Sequence, residues 1–264
     1  MPRFAANLWF LFQELPMPER FGAAAEAGFR GVEMQFPYQW PQGDLSGRLA
    51  EHGLQQVLIN APPGDRDKGE RGIAALPGRE REFRDSIAIA LDYAGALGCR
   101  NLHVMAGIPG ASTPRERALA TFADNLLFAA ETCGRNGVRV LVEALNAADA
   151  PGYLIGTTAA ARAVIERVGH ANLYMQYDLY HGAMNGDDLA GAVRENIDVI
   201  GHMQVAGVPG RHEPTAAAAA GGIDWPAVFA AIDAAGYAGW IGCEYRPTGG
   251  TREGLGWARA YGIG

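Results

Sequence analysis

Short apolar segments alternate with longer amphipathic segments along the whole chain. The apolar segments have the length and the residue types of buried strands. We predict eight strands: FAANLWF (4–10), GVEMQFP (31–37), LQQVLINAP (54–62), NLHVMAG (101–107), RVLVEAL (139–145), NLYMQYD (172–178), IGHMQVAG (200–207) and GWIGCEY (239–245). Between them, helical spacing is clearest over 18–28, 78–98, 114–137, 157–169 and 225–236. Glycines placed to end helices support these boundaries: Gly28, Gly53, Gly98, Gly137 and Gly236.

A strand followed by a helix, eight times over, predicts an α/β protein with a parallel sheet. The strands are almost continuously apolar, as expected when helices cover the sheet. The length of 264 residues suits a closed barrel of eight such units. No G-x-G-x-x-G motif follows the first strand, which weighs against an open dinucleotide-binding sheet. We therefore predict a single (β/α)8 TIM-barrel domain spanning 1–264.

Composition narrows the possible partners. A net charge of −7 weighs against nucleic acid, because such binding needs a basic face that neutralises phosphates. The three cysteines are far apart and form no C-x-x-C motif, so neither a disulfide framework nor a zinc knuckle is expected. The apolar N-terminus has one basic residue and no small-residue cleavage site, so it is interpreted as the first strand. No apolar run approaches the ~20 residues of a membrane span, and we expect a cytoplasmic protein.

Polar residues interrupt the last four apolar strands near their carboxyl ends, where barrels of this type build their active sites. These residues are Glu143, Asp178, Gln204 and Glu244. Three carboxylates and an amide oxygen at one mouth would repel each other unless a cation neutralises them. Oxygen donors suit a hard divalent ion, so the sequence predicts a site for Mg²⁺ or Mn²⁺.

A single acidic residue at a strand end is more often a solvated rim residue, and the metal hypothesis depends on all four occurring together. His181 follows Asp178 by three residues and is expected in a loop facing the mouth. There it is either a substrate contact or a hydrogen-bonded structural residue. His103 is a packed histidine or points into the barrel, and we favour a substrate-binding role. His202 is interpreted as structural.

Several segments resemble the hydroxypyruvate isomerase family, within the xylose-isomerase-like TIM barrels. The resemblance covers nearly the full length and is carried by PRFAANL, APPGDRDKGERGIAALPGRE (61–80), HVMAG (103–107), VLVEAL (140–145), DLYH (178–181), QVAGVPGRHEP (204–214), GYAGWIGCEYRP (236–247) and EGLGW (253–257). The resemblance implies that Glu143 and Glu244 are paired catalytic carboxylates that also ligate the metal. Asp178 and Gln204 would complete the metal shell.

The resemblance implies that the protein interconverts hydroxypyruvate and tartronate semialdehyde. A carboxylate removes a proton beside the carbonyl, an enediolate forms, and an acid returns the proton to the neighbouring carbon. A 2-oxo-tetronate isomerase and a ketose 3-epimerase remain alternatives. An acidic substrate needs a cation near the mouth, for which Arg66 and Arg211 are the first candidates. The loop 61–80 could act as a lid. Barrels of this group are often dimers or tetramers, so a homo-oligomer is expected.

One segment departs from the family pattern. After HEP the chain continues as TAAAAAGG (215–222), which we interpret as a small loop insertion near the mouth, so substrate identity stays open. Two other classes also stay open. An abasic-site endonuclease shares the wider barrel architecture but would need a basic groove and more histidines. A non-catalytic sugar-binding barrel would not need two glutamates at the metal.

Overall fold

The chain folds into a closed barrel of eight parallel strands that follow one another in sequence order. A computed structural model describes residues 1–215 and 222–264. Most of the segment predicted as an alanine-rich loop insertion therefore lies outside the described residues. The strands are β1 (Arg3–Asn7), β2 (Gly31–Glu33), β3 (Gln55–Asn60), β4 (Asn101–His103), β5 (Arg139–Glu143), β6 (Leu173–Asp178), β7 (Ile200–Val205) and β8 (Trp240–Cys243). Pairing of β1 with β8 closes the ring, so the predicted barrel is confirmed.

Helices connect the strands and cover the outside of the barrel. They are α1 (Met17–Glu26), α2 (Gln42–Glu51), α3 (Glu80–Ala96), α4 (Arg115–Arg135), α5 (Thr158–Val168), α6 (Leu179–Met184), α7 (Leu189–Asn196), α8 (Trp225–Ala234) and α9 (Thr251–Gly254). Residues 255–261 continue from α9 as a 3₁₀ helix. The two helices α6 and α7 after β6 were not predicted, because both are short and lack a long apolar period.

The five glycines predicted to end helices all have a positive φ, between 62° and 95°. Each is the second residue after the last helical residue, where a left-handed conformation reverses the chain. The helices therefore end where the sequence indicated, one turn before the next strand.

Apolar side chains from the strands and the inward faces of the helices form one large buried cluster. This layer fixes the strands, and therefore the height at which their carboxyl ends meet. No helix among the described residues is long and apolar enough to cross a membrane.

Candidate active site

The four polar residues predicted from the last strands do meet at one end of the barrel. Glu143 and Asp178 are the last residues of β5 and β6, and Glu244 directly follows β8. Gln204 pairs in register with Asp178 across β6 and β7. All four side chains are buried. The parallel register of neighbouring strands brings their carboxyl ends to the same rim.

A tighter cluster contains a histidine. Glu143, Asp178 and His181 each offer a ligand atom, and these atoms lie within 4.8 Å of one another. His181 was expected in a loop, but it lies in helix α6, which begins directly after β6. The Nε2 atom of His181 is 3.7 Å from Asp178 Oδ2, while its Nδ1 atom accepts from the backbone N–H of Asn146 at 3.2 Å. The first turn of α6 therefore directs the imidazole at the carboxylates.

Arg211 supplies the positive charge closest to this cluster. Its Nη2 atom lies 3.3 Å from Asp178 Oδ2 and 3.2 Å from Glu244 Oε1. The guanidinium also lies over the rings of Tyr180 and Phe10. Burial opposes the charge on Arg211, but Glu244, Asp178 and Glu143 outweigh it and keep its pKa above the ordinary value. Arg211 adopts φ 58°, uncommon for a residue with a side chain, so the loop after β7 holds it in place.

The two glutamates are the most perturbed acids at the mouth. Burial, followed by repulsion from Glu244 and Asp178, raises the pKa of Glu143. Burial raises the pKa of Glu244 to about 8, although Arg211 acts in the opposite direction. The Oε1 atom of Glu143 is buried and has no hydrogen-bond partner. An unpaired carboxylate oxygen among other carboxylates is what a divalent cation would satisfy, so these donors fit such an ion.

A second buried carboxylate network lies below the mouth and was missed by the sequence reasoning. The Glu33 side chain at the end of β2 is fully buried. It accepts from Asn7 Nδ2 at 2.8 Å and Gln204 Nε2 at 2.9 Å, and it contacts His202 Nε2. A side chain at Gly242 would overlap this carboxylate, so the glycine in β8 makes room for it. Glu33 interrupts an apolar strand just as Glu143 does, and that signal was present in the sequence.

Gln204 is held from two sides by this network. Its Nε2 donates to Glu33, and its Oε1 accepts from Gln176 Nε2 at 2.7 Å. Both ends of the amide are therefore hydrogen-bonded, and its role as a metal ligand stays a prediction. His202, interpreted as structural, contacts the same Glu33.

A cavity of about 400 Å³ opens above the four strand ends. Every residue predicted to bind substrate contributes to its lining: His103, His181, Arg66 and Arg211, with the two glutamates Glu143 and Glu244 at its base. Burial, with the charges of His202 and His181, lowers the pKa of His103 to about 3, so its ring is neutral at physiological pH. Gln35, also in the lining, donates to Glu244 Oε1 at 2.8 Å.

The long loop after β3 forms one wall of this cavity. The Arg66 guanidinium lies 5.0 Å and 4.6 Å from the ring centres of Trp9 and Phe36. Arg71 donates to the backbone carbonyl of Asp149 at 2.9 Å. Lys68, by contrast, forms an exposed ion pair with Asp65. The loop therefore brings two cations to the entrance, and aromatic rings restrict the movement of one of them.

This arrangement suits proton transfer next to a carbonyl group. Two buried carboxylates beside one cavity can take a proton from a carbon acid and return it to the neighbouring carbon. Arginines at the rim can orient a negatively charged end of the same molecule. A cavity of this size accommodates a small organic acid.

Comparisons with known proteins agree with this chemistry. Residues 21–261 match a family model described as "Xylose isomerase-like TIM barrel". The chain is similar to a 2-oxo-tetronate isomerase of Cupriavidus necator, with 48% identity over 99% of each chain. It is also similar to the hydroxypyruvate isomerase of Escherichia coli, with 41% identity over 99% of this chain and 100% of the relative. A solved structure described as "AP endonuclease, family 2 from Brucella melitensis" superposes with a TM-score of 0.95, at 46% identity and 99% coverage of each chain.

Proposed function

We propose that 2-oxo-tetronate is the substrate of this protein. The chain belongs to the xylose isomerase-like TIM barrel family and is an isomerase of the hydroxypyruvate isomerase family within it. The reaction would exchange the carbonyl at C2 with the hydroxyl at C3 of this four-carbon sugar acid. The similarity to a 2-oxo-tetronate isomerase at 48%, against 41% for a hydroxypyruvate isomerase, favours it over hydroxypyruvate, which the sequence reasoning had placed first.

The observation that carries the proposal is the pair of buried glutamates at the base of the cavity. In the proposed mechanism, Glu143 and Glu244 act as base and acid on adjacent carbons. One carboxylate takes the proton from C3, the hydroxyl proton on the C3 oxygen passes to the C2 oxygen at the enediolate stage, and a proton is then returned to C2. In the cation-free chain, burial raises the pKa of both residues; a bound cation would lower it and leave a carboxylate ionised to act as the base.

Glu143, Asp178, Gln204 and Glu244 would hold a divalent cation, and the placement of His181 beside Asp178 makes it a further candidate ligand. Such a cation would stabilise negative charge developing on the substrate oxygens. With the acidic ligands neutralised, Arg211 would be released to pair with the carboxylate of the substrate. Arg66 would contact the bound substrate from the loop after β3, while His181 and His103 would contact its hydroxyl groups.

A substrate panel tests the proposal. Purified protein treated with EDTA and reconstituted with Mn²⁺ or Mg²⁺ is assayed with 2-oxo-tetronate, hydroxypyruvate, tagatose and fructose, and the products are identified with their stereochemistry. We expect the highest kcat/KM for 2-oxo-tetronate, with deuterium from solvent appearing at C2. A higher kcat/KM for hydroxypyruvate would make hydroxypyruvate the substrate instead. An epimerised ketose as product would show that the reaction is epimerisation and not isomerisation.

The solved structure described as an AP endonuclease makes one further assay necessary. A net charge of −7 and a cavity that contains several carboxylates disfavour a polyanionic substrate. We expect no nicking of plasmid DNA that contains abasic sites, with or without divalent cations. Nicking that disappears in a Glu143→Gln variant would assign the site to DNA instead.

A further inference from the structure

Unpaired polar atoms are concentrated on one wall of the cavity. Among the described residues, seven side chains bear a buried nitrogen or oxygen without a hydrogen-bond partner: Trp9, Asn60, Asn101, His103, Thr132, Glu143 and Gln176. Asn60, His103 and Glu143 line the cavity. His103 has both ring nitrogens unpaired, with its Nδ1 atom 3.6 Å from Glu143 Oε2, too far for a good hydrogen bond. Buried polar atoms are rarely left unpaired in proteins, so this wall is suited to a polar ligand.

Asn60 and His103 belong together structurally. They are the last residues of β3 and β4 and are paired in register. Paired residues on neighbouring parallel strands direct their side chains to the same face, here the inside of the barrel. Asn60 Oδ1 and the imidazole nitrogens therefore form one small polar patch, and 3% or less of either residue is exposed.

The patch lies across the barrel from the cation that would hold the substrate carboxylate. In a ring of eight strands, β3 and β4 face β7 and β8. Arg211 follows β7 and contacts the Glu244 side chain just after β8. A substrate whose carboxylate is held by Arg211, with C2 and C3 between the glutamates, therefore points its far end at Asn60 and His103.

We propose that His103 and Asn60 form a subsite for the C4 hydroxyl group of a four-carbon substrate and so set the preference over three-carbon acids. This inference rests on the proposed function. A neutral imidazole offers one donor and one acceptor, and an amide oxygen offers a second acceptor. A hydroxyl group accepts from the ring N–H and donates to Asn60 Oδ1, so one ring nitrogen and the amide oxygen become paired. Hydroxypyruvate has no C4 and leaves these atoms unpaired, which a site built for a hydroxyl group penalises.

The test separates the hydroxyl group from the length of the carbon chain. The three substrates are 2-oxo-tetronate, its 4-deoxy analogue, which keeps four carbons, and hydroxypyruvate. In the wild-type protein we expect kcat/KM for 2-oxo-tetronate to exceed that for the 4-deoxy analogue by about 10- to 100-fold. The His103→Phe variant should lose about tenfold on 2-oxo-tetronate and less than about twofold on the analogue. The Asn60→Leu variant leaves the His103 ring in place and should also reduce the ratio of kcat/KM for 2-oxo-tetronate to kcat/KM for the 4-deoxy analogue.

Asn101 provides the matched control. It lies two residues before His103 on β4, is also buried and also bears an unpaired oxygen, but it does not line the cavity. Asn101→Leu should lower the melting temperature and leave the ratio between the two four-carbon acids unchanged.

The outcomes separate the subsite from the proposed function. An equal loss on all three substrates in both His103→Phe and Asn60→Leu would overturn the subsite while leaving the isomerase intact. A wild-type protein without activity on any of the three acids would overturn the proposed function and the subsite with it. If only one variant lowers the ratio, the residue substituted in it recognises the C4 hydroxyl group, and the other residue is not part of the subsite.

Discussion

At the scale of single residues, Glu143 and Glu244 carry the proposed chemistry and can be tested without a change in shape. Glutamine has nearly the volume of glutamate but can neither take nor give a proton in this reaction. We expect Glu143→Gln and Glu244→Gln each to reduce kcat by about 10²–10⁴-fold. Exchange of solvent deuterium into the substrate should fall with kcat, since both report the same proton transfer.

Glu116→Gln is the control for this pair. Glu116 lies on the exposed surface of α4, where it pairs with Arg167. Its substitution should leave kcat unchanged. If either active-site variant kept full activity, the catalytic role of that glutamate would be wrong.

The raised pKa of Glu244 also predicts how stability depends on pH in the cation-free protein. The pKa is about 8 in the folded chain, against an ordinary value of 4.5. The folded state therefore binds the proton more tightly than the unfolded state. Its contribution to stability is complete below about pH 4.5 and is lost as the pH rises through about 8. We expect the melting temperature to fall across this range, and to fall less steeply in Glu244→Gln.

The same residues show what the sequence can and cannot predict. Glu143, Asp178 and Glu244 could be identified because each interrupts an apolar strand at its carboxyl end. Glu33 carries the same signal, but it lies in the second strand, outside the four consecutive strands on which the metal prediction depends. The role of Asn60 could not be inferred, because it depends on which atoms remain unpaired after folding.

At the scale of elements, Asp178 is both a proposed metal ligand and the residue that caps the short helix α6. Asp178 is its N-cap residue, and Asp178 Oδ1 accepts from the backbone N–H of Tyr180 at 2.9 Å. Asparagine is an equally good N-cap but carries no charge. We expect Asp178→Asn to keep the N-cap of α6 and to weaken Mn²⁺ binding by at least about tenfold, as measured by calorimetric titration.

Asp178→Ala completes this comparison. Alanine removes the charge and the cap together. It should weaken Mn²⁺ binding similarly and also lower the free energy of unfolding by about 1 kcal/mol relative to Asp178→Asn. Unchanged Mn²⁺ affinity in both variants would remove Asp178 from the set of proposed ligands.

The strands themselves were predicted in the correct order but too long at their carboxyl ends. The segments 31–37 and 101–107 contribute only three residues each to the ladder. Of the remaining residues, Gln35, Phe36 and Met105 line the cavity. Apolar composition alone does not show this, because residues that pack under loops are as apolar as residues in a strand.

At the scale of the whole molecule, a cation that binds only the folded chain must stabilise it. At a hundredfold excess over its dissociation constant, the gain is about 2.7 kcal/mol. We expect Mn²⁺ or Mg²⁺ to raise the melting temperature of EDTA-treated protein by several degrees and to restore activity. Full activity in protein shown to be metal-free would contradict the proposed site.

The predictions of one domain over 1–264 and of a homo-oligomer stay predictions. The strands of the barrel extend from residue 3 to residue 243, which supports a single unit. Light scattering coupled to size-exclusion chromatography would give the mass of the assembly against 28.0 kDa for one chain. A dimer or a tetramer is expected.

The space left by Gly242 for Glu33 has a consequence for protein engineering. The carboxylate network under the mouth belongs both to the interior of the barrel and to the support of Gln204. A designer who replaced it with tightly packed hydrocarbon could gain thermostability and lose the alignment of the reacting groups. Stabilising substitutions are therefore safer on the outer faces of the helices than in this network.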